Sequence, residues 1–303
     1  MKHVFIVNPI SGKGYGLQFI PIIEKYFADN GGQYEIIQTE YIHHATELAN
    51  KYSENDDVTL YAVGGDGTMK EVLDGINEKV VLCIIPGGTG NDFYKSIDLK
   101  KKSAEQIIKE NIEGEIIEAD YGILNGKSRF LNICSFGLDA DINEYSCEHV
   151  KKNTKIPNSL VYAYSAFKVG LHPASYHMNC RIDNKDVSDD VVMFACSNGK
   201  YYGGVFCPSP FAQINDGKLN VCYFRDKLKT LRLINLILKY TKGKHLSQPE
   251  CFHTEATRIE LSFDREINYQ IDGERGRLQK CTIDICPKAI KLKIPKERSG
   301  NNE

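Results

Sequence analysis

The sequence predicts two domains: an α/β domain with a parallel sheet, followed by a mainly antiparallel, β-sandwich-like domain. Apolar runs alternate with helical periodicity through the first part of the chain, which is typical of a parallel sheet with helices on its faces. Later runs are rich in β-branched and aromatic residues and are bounded by turn residues, which favours antiparallel strands. We place the first domain at residues 1–122, the second at 123–287, and a C-terminal tail at 288–303.

Four short apolar runs in the first domain have the length and composition of buried strands. They are His3–Val7, Tyr34–Gln38, Val58–Val63 and Val80–Ile85. Helical spacing of apolar residues separates these runs, beginning at Leu17 and again at Ala45–Glu54 and Met69–Ile76. Alternation of this kind, with short connections, predicts parallel strands.

The pattern changes near residue 120, after the strand-like run Ile116–Tyr121. The strand-like runs of the second domain then follow one another more closely, and they are Arg129–Cys134, Met178–Ile182, Val191–Ser197, Lys218–Phe224, Arg258–Phe263 and Thr282–Ile285. Helical stretches are predicted around Leu160–Gly170 and Leu228–Tyr240. The lysine-rich end, Lys288–Glu303, is compatible with a return to the first domain, although the sequence does not require it.

Composition argues for a reduced, cytoplasmic protein and against nucleic acid as a partner. The net charge is −2 over 303 residues, so no excess of positive charge is available to bind a nucleic-acid backbone. The ten cysteines are scattered without a C-x-x-C pair, which favours reduced thiols in the core. The chain begins directly with a strand pattern, and no apolar run approaches the ~20 residues that span a bilayer.

Two glycine-rich loops are the most informative motifs. Gly64–Thr68 follows the third predicted strand, and Pro86–Asp92 follows the fourth. Loops of this composition present backbone N–H groups to an anion, most plausibly phosphate. Each loop also contains an aspartate, Asp66 or Asp92, which would repel phosphate unless a divalent cation lay between them. The pair therefore predicts metal-assisted phosphoryl transfer.

Several motifs, in order along the chain, resemble the diacylglycerol kinase catalytic domain. That family includes eukaryotic diacylglycerol and sphingoid-base kinases and a soluble bacterial branch of lipid kinases, and the later motifs resemble that branch. In the first domain they are Asn8-Pro9, Ser11-Gly12, Gly64–Thr68 with Glu71-Val72, and Pro86–Phe93. In the second domain they are Asn198–Gly204, Pro208–Ala212, Asp216–Leu219 and Asp272–Glu274. The resemblance spans nearly the whole chain. Lys70 departs from it, because asparagine is common at that position.

The resemblance implies a role for individual residues. ATP and its phosphates would be bound by Asn8, Ser11, Gly12, Thr39, Gly65, Asp66, Gly67, Thr68, Thr89 and Asn91. Asp66, Asp92 and Asp120 would organise the catalytic Mg²⁺, directly or through water. Glu274 would be the general base. Asp216, with backbone oxygens near Gln213 and Lys218, would hold a second, structural metal.

These features predict an ATP- and Mg²⁺-dependent lipid kinase of phospholipid biosynthesis that converts diacylglycerol to phosphatidate. Sphingoid bases and phosphatidylglycerol remain alternative acceptors. NAD kinase shares a similar glycine loop, although Pro86–Phe93 and the late Asp272–Glu274 motif speak against it. A non-catalytic nucleotide- or lipid-binding protein is the alternative from another class, and a pure binder has little need of a base such as Glu274.

The segment Arg225–Lys244 is the candidate for peripheral contact with the inner membrane surface. Its cations are Arg225, Lys227, Lys229, Arg232, Lys239, Lys242 and Lys244, against the single acid Asp226. Its apolar residues Leu228, Leu231, Ile234 and Leu238 fall near one helical face. The same pattern also fits a helix that packs on the second domain with its lysines in solvent, so both alternatives stay open.

Overall fold

The computed structural model describes residues 2–53, 57–150, 158–226 and 230–296. The chain forms two compact units. The first unit is Met1–Ala119 together with Lys288–Glu303, and the second is Asp120–Pro287.

The first unit contains a parallel sheet with helices between its strands, which confirms the α/β prediction. Its strands are β1 (Lys2–Val7), β2 (Tyr34–Gln38), β3 (Val58–Gly64) and β4 (Val81–Pro86), in the order β2-β1-β3-β4. Its α-helices are α1 (Phe19–Asn30), α2 (His44–Tyr52), α3 (Asp66–Gly75), α4 (Asp92–Ile97) and α5 (Ala104–Ile112). All seven residues of β3 are buried, as expected for a parallel strand that is covered on both faces.

The segment after β1 differs from the predicted loop and helix. Residues Ser11–Gln18 form 3₁₀ turns, and the α-helix begins only at Phe19 rather than near Leu17. Gly12, Lys13 and Gly14 have positive φ values of 57°, 59° and 90°, which an α-helix does not accommodate.

The register of the parallel strands aligns their carboxyl ends. Val7 at the end of β1 lies opposite Val63 in β3 and Gln38 in β2. Gly64 at the end of β3 lies opposite Pro86 at the end of β4. The loops that follow these four strands therefore start at one edge of the sheet.

The second unit is mainly antiparallel, as predicted. Its strands are β5 (Glu115–Leu124, which enters from the first unit), β6 (Ser128–Phe130), β7 (Ile133–Gly137), β8 (Tyr176–Ile182), β9 (Lys185–Ser197), β10 (Leu219–Arg225), β11 (Cys251–Ala256), β12 (Arg258–Ile271) and β13 (Glu274–Ile294). Antiparallel neighbours follow the order β11-β10-β9-β7-β12-β13, and β8 pairs with both β9 and β12. The helices are α6 (Leu138–Tyr145), α7 (Asn158–Gly170) and α8 (Thr230–Tyr240), with a π-turn at Ser146–Val150.

The prediction of one strand at Arg129–Cys134 is wrong. The backbone leaves the sheet between β6 and β7, because the carboxylate of Asp272 accepts hydrogen bonds from the N–H groups of Leu131 at 2.8 Å, Asn132 at 3.1 Å and Ile133 at 2.9 Å. A side chain 140 residues away in the sequence thus decides where the strand breaks. Helix α6, which follows β7 directly, was also not predicted.

The last strand extends beyond the predicted Thr282–Ile285. β13 continues to Ile294, and its residues Lys291–Lys293 pair in parallel with Val81–Cys83 of β4. Part of the lysine-rich end is therefore a strand of the first unit's sheet. Residues 297–303 of the predicted tail lie outside the described residues.

Helix α8 buries some of its apolar residues and exposes others. Leu233, Leu236 and Tyr240 are buried, whereas Leu238 of the predicted apolar stripe is 59% exposed. Residues 227–229 and the side chain of Leu231 lie outside the described residues. The spacing of the buried residues is helical, and the exposed Leu238 leaves both alternatives for this segment open.

Candidate active site

The loops at the carboxyl edge of the first unit's sheet pack against one another through their backbones. A Cβ atom on Gly12 would lie 2.5 Å from the carbonyl oxygen of Gly87, and one on Gly88 would lie 2.3 Å from Cα of Gly65. The N–H of Gly87 donates to the carbonyl of Gly64 at 2.8 Å. Only glycine permits such close approach, so these glycines bring the predicted loops into one cluster.

Asn8 and Thr68 link the first loop to helix α3. Asn8 Nδ2 donates to Thr68 Oγ1 at 3.0 Å, and Asn8 Oδ1 accepts from the N–H of Ile10 at 3.1 Å. Ser11 Oγ lies 3.5 Å from the position that a Cβ on Gly65 would take. The N–H of Thr39 donates to the carbonyl of Val7 at 2.9 Å, which places Thr39 at the same edge.

Helix α3 presents an open N-terminus at this edge. Its N-cap residue is Gly65, and no side chain in the described part of the chain caps its first turn. The first intrahelical bond runs from the N–H of Met69 to the carbonyl of Gly65 at 3.1 Å, so the N–H groups before it have no partner within the helix. Gly67 is exposed, and nothing lies within 4 Å of the position of an added Cβ. This arrangement suits an anion such as phosphate.

Asp66 and Asp92 come together beside Gly90. Asp66 Oδ1 accepts from the N–H groups of Asp92 at 2.7 Å and Phe93 at 3.2 Å, and so caps helix α4. The Oδ2 atoms of Asp66 and Asp92 lie 3.0 Å and 3.4 Å from the position that a Cβ on Gly90 would take. Lys95 Nζ donates to the other oxygen of Asp92 at 2.8 Å. One oxygen of each carboxylate therefore points to a shared position.

Asp66 and Asp92 repel each other when both carboxylates are charged. Burial, followed by the charge of Asp92, raises the pKa of Asp66 to about 6, although the two backbone N–H groups oppose this shift. A divalent cation would relieve the repulsion. Carboxylate oxygens are ligands that Mg²⁺ prefers, and Mg²⁺ commonly takes one or two carboxylates together with water and substrate phosphates. The donor set therefore fits Mg²⁺.

The remaining residues predicted for the first unit differ in their surroundings. The Asn91 side chain both accepts from the N–H of Gly88 and donates to its carbonyl, each at 2.9 Å, so it holds the loop in shape. Thr89 is exposed. Lys70, which departs from the family pattern, is buried and forms an ion pair with Asp74 one turn later in α3.

Asp120 belongs to the second unit, where it anchors the turn that contains Asp216. Its buried Oδ2 accepts from the N–H of Gly217 at 2.7 Å, and its N–H donates to the carbonyl of Ile214. Asp216 is exposed and accepts from the N–H of Lys218 at 3.0 Å. The three residues predicted for the structural metal, Gln213, Asp216 and Lys218, thus share one exposed turn, and the ammonium of Lys218 pairs with Glu255 at 2.5 Å.

Glu274 is the first residue of β13 and is exposed. The preceding turn residues, Asp272 and Gly273, have φ values of 46° and 93°, as in a tight hairpin. Asp272 also makes the three backbone hydrogen bonds described for the β6–β7 break. A carboxylate thus extends from a firmly held turn, where it could accept a proton from a hydroxyl group.

The second unit contains a buried acid, Asp139, that was not predicted from the sequence. Asp139, in the first turn of α6, is only 1% exposed and accepts hydrogen bonds from Ser135 and Tyr202. Gln270 donates to Ser135 Oγ at 2.8 Å and is 3.5 Å from Asp139. Burial raises the pKa of Asp139 to about 6. The only available signal was Tyr202 within the motif at Asn198–Gly204, because these partners are far apart in the sequence.

Two family models match the chain. Residues 2–124 match the family model described as the diacylglycerol kinase catalytic domain. Residues 132–294 match the YegS C-terminal NAD kinase beta sandwich-like domain. A relative from Staphylococcus aureus strain JH9, named "Putative lipid kinase", is 27% identical over 261 residues, which cover 83% of this chain and 82% of the relative.

Solved structures show the same fold at lower identity. A "putative diacylglycerol kinase" from Bacillus anthracis has a TM-score of 0.76 and 24% identity, with 98% of this chain and 97% of that chain covered. An NAD kinase from Archaeoglobus fulgidus in complex with ATP has a TM-score of 0.51 and 12% identity, covering 98% and 95%. Within the described residues, no helix combines the length and apolar composition that crossing a bilayer would need. The family matches confirm the predicted resemblance, and the chain belongs to the lipid kinase family in which a diacylglycerol kinase catalytic domain precedes a YegS-type β-sandwich domain.

Proposed function

We propose that the protein transfers the γ-phosphate of ATP to the hydroxyl group of diacylglycerol and so forms phosphatidate. The observation that carries this proposal is the convergence of Asp66 and Asp92 beside the open N-terminus of α3. Phosphoryl transfer depends mainly on positioning and on neutralising charge at the γ-phosphate. A cation held by two carboxylates and a set of backbone N–H groups provide both.

The first unit binds ATP in this proposal. Backbone N–H groups of Gly65, Gly67 and Thr68 hold the phosphates, with Ser11 and Gly12 from the first loop and Thr89 and Asn91 from the loop after β4. Asn8 and Thr39 contribute to the nucleotide site from the ends of β1 and β2. Asp66 and Asp92, with Asp120, would hold Mg²⁺, and a bound Mg²⁺ would supply positive charge to neutralise the phosphate oxygens.

Glu274 acts as the general base. Its carboxylate accepts the proton of the lipid hydroxyl while the hydroxyl oxygen forms a bond to the γ-phosphorus and the bond to the β,γ-bridging oxygen breaks. ADP leaves, and the protonated Glu274 returns its proton to solvent. The exposed position of Glu274 on a fixed turn supports this role, because the base must reach a hydroxyl group within hydrogen-bond distance.

We propose further that the enzyme works in the cytoplasm at the inner membrane surface. Gly170 of α7 lies against Ile237 of α8, and these neighbouring helices expose Phe167 and Leu238 by 55% and 59%. Exposed apolar side chains of this size favour contact with a lipid surface. Two cations of Arg225–Lys244 form local ion pairs, because Arg225 pairs with Asp189 at 2.7 Å and Arg232 with Glu250 at 2.6 Å.

Binding to vesicles tests the membrane proposal. The proposal predicts that the wild type binds anionic vesicles and that the combined Phe167→Ser and Leu238→Ser variant binds them more weakly. Raising the salt concentration should also weaken binding by the wild type, but by less than the two substitutions do. The matched control is Val205→Ser, which removes another exposed apolar side chain, from the loop after β9. Equal binding by all variants would contradict contact through α7 and α8.

A panel of acceptors tests the reaction itself. Labelled Mg²⁺-ATP is offered with diacylglycerol, a sphingoid base, phosphatidylglycerol or NAD⁺, the lipids being supplied in mixed micelles. We expect label in phosphatidate. Label in another lipid product would show that the acceptor is that lipid and not diacylglycerol. Label only in the nucleotide product would favour NAD kinase. No transfer to any acceptor would favour a non-catalytic binding protein.

A further inference from the structure

Three buried side chains in the second unit, outside the proposed catalytic residues, form a cluster with the composition of a metal site. They are Cys222 on β10, His245 in the loop after α8, and Cys251 at the start of β11. One ligand atom from each lies within 4.8 Å of the other two. The two sulfur atoms are 3.5 Å apart. We call these residues the thiol–imidazole cluster.

Strand pairing and a short loop bring the cluster together. Phe224 lies opposite Cys251 in the antiparallel pair of β10 and β11, so Cys222, two residues earlier, lies on the same face of the sheet. The N–H of Gln248 donates to the carbonyl of His245 at 2.9 Å, and the N–H of Cys251 donates to the carbonyl of Gln248 at 3.0 Å. These bonds fix His245 relative to Cys251.

The imidazole of His245 has one nitrogen without a hydrogen-bond partner. His245 is fully buried, and its Nε2 lies 3.0 Å from the carbonyl oxygen of Pro208. A carbonyl only accepts, so Nε2 carries the proton and Nδ1 keeps a lone pair. Among the described residues, this Nδ1 is one of few buried polar side-chain atoms that lack a partner. A buried lone pair of this kind is costly unless a proton donor or a metal uses it.

Aromatic rings hold the imidazole in place. Tyr240 meets the His245 ring edge to face, with centroids 4.6 Å apart, and Phe224 does so at 6.0 Å. Nε2 of His245 donates to the carbonyl oxygen of Pro208. In known metal sites, a hydrogen bond from the nitrogen that does not bind the metal orients the histidine in the same way. The ring thus has the tautomer and the support that a ligand needs.

We propose that Cys222, His245 and Cys251 bind a thiophilic divalent metal ion, with Zn²⁺ as the expected occupant. At Zn–S bonds of about 2.3 Å, tetrahedral geometry places two sulfurs ~3.8 Å apart, close to the separation seen here. Two thiolates, a neutral imidazole and a divalent ion give no net charge, which suits a buried position. Three protein ligands leave the fourth position for a water molecule or a small anion.

The protons on the imidazole and the two thiols must be accounted for when a metal ion binds. Burial lowers the pKa of His245 to about 4, so the imidazole is already neutral at physiological pH. The hydrogen bond with Cys251, followed by burial, raises the pKa of Cys222 well above its usual range. Metal ions bind thiolates, so each thiol gives its proton to solvent when its bond to the divalent ion forms.

Metal titration of the reduced, full-length protein tests the proposal. After chelation under reducing conditions, Zn²⁺ is added and its content per chain is measured. Co²⁺ serves as a spectroscopic probe, because thiolate ligands give it a charge-transfer band. We expect one Zn²⁺ per chain, a thiolate–cobalt band, and a higher thermal midpoint with Zn²⁺ than without it.

Matched variants show which thiols are responsible. Combining Cys222→Ser with Cys251→Ser should remove the cobalt band and weaken Zn²⁺ binding by more than the ~100-fold that loss of a supporting group costs. His245→Asn should keep the band but weaken binding. The control combines Cys134→Ala with Cys196→Ala, which removes two other buried thiols of the same unit that belong to a separate hydrophobic cluster. This control should bind Zn²⁺ like the wild type.

Several results would overturn the proposal. They are failure of the reduced wild type to bind Zn²⁺, equal Zn²⁺ binding by the Cys222→Ser/Cys251→Ser variant, and loss of binding in the control. A Cys222–Cys251 disulfide in the purified protein, with no Zn²⁺ affinity after reduction, would assign the pair to thiol chemistry instead. None of these measurements depends on kinase activity, so their outcome is independent of the proposed function.

Discussion

The two units build their polar sites in different ways. At the carboxyl edge of the first unit's sheet, backbone groups dominate: glycine loops pack on each other, and the N-terminus of α3 is open. In the second unit, the polar groups are side chains that meet from distant positions, as with Asp139 and Tyr202 or Cys222 and Cys251. The difference teaches that a site made of backbone leaves contiguous motifs in the sequence, whereas a site made of side chains does not.

The largest expected effect comes from substituting Asp66. One of its carboxylate oxygens caps α4, and the other lies with Asp92 beside Gly90, where we propose that the cation binds. Asp66→Asn keeps an oxygen to accept the N–H groups of Asp92 and Phe93 but removes the negative charge. If a cation is held here, loss of several kcal/mol of charge stabilisation should lower kcat by about 10⁴-fold, as measured with Mg²⁺-ATP and diacylglycerol. Asp98→Asn is the matched control, because its partner Lys102 keeps Glu110. Near-normal turnover in Asp66→Asn would contradict the proposal that Asp66 holds a catalytic cation.

The next largest effect tests the second unit's contribution. Glu274→Gln should lower kcat by about 10³-fold, within the range for loss of a general base, and leave ATP affinity nearly unchanged. Glu260→Gln is a suitable control, because it removes another exposed acid whose partner Arg258 keeps Asp284. Steady-state kinetics and nucleotide binding together check the prediction. If turnover is unchanged in Glu274→Gln, another group takes the hydroxyl proton.

A smaller effect is expected for Gly67→Ala, which should change ATP affinity and the free energy of unfolding in opposite directions. Gly67→Ala places a methyl group where nothing lies within 4 Å, and alanine is favoured over glycine in a helix by about 1 kcal/mol. The free energy of unfolding should therefore rise without nucleotide. Because phosphate would approach this position, the Kd for ATP should rise by about 10-fold. Denaturation and calorimetric titration give the two readouts, and unchanged ATP affinity would place the phosphates elsewhere.

The smallest effect is a dependence on pH. The folded-state pKa of Asp66 is raised to about 6, so between about pH 4 and pH 6 the metal-free folded protein binds more protons than the unfolded chain. The contribution of Asp66 to the free energy of unfolding therefore falls as pH rises through that window. Protons compete with the cation, so the stabilisation by Mg²⁺-ADP should grow between about pH 5 and pH 7.

Thermal midpoints at those two pH values, with and without Mg²⁺-ADP, measure this dependence. Asp66→Asn has no group to titrate at that position, so its Mg²⁺-ADP shift should change less with pH than that of the wild type. Equal pH dependence in the two proteins would show that another group competes with the cation.

The sequence predicted the parts of the fold that depend on local pattern. The parallel strands of the first unit and the glycine loops were predicted because buried strands and tight turns need particular residues in a row. The break at Leu131–Asn132 was not predictable, because it depends on Asp272. The residues that α8 buries could not be predicted, since periodicity gives the apolar stripe but not the surface that it meets. Asp139 and the thiol–imidazole cluster need tertiary contacts to be recognised.

The pairing of β13 with β4 has a consequence for biosynthesis. Residues Lys291–Lys293 leave the ribosome long after β1–β4, yet they complete the sheet whose other strands appear within the first 86 residues. Until Lys291–Lys293 have been made, the apolar strand β4 is an open edge that can pair with other nascent chains. A product released after Pro287 would retain every glycine loop and still be prone to aggregate.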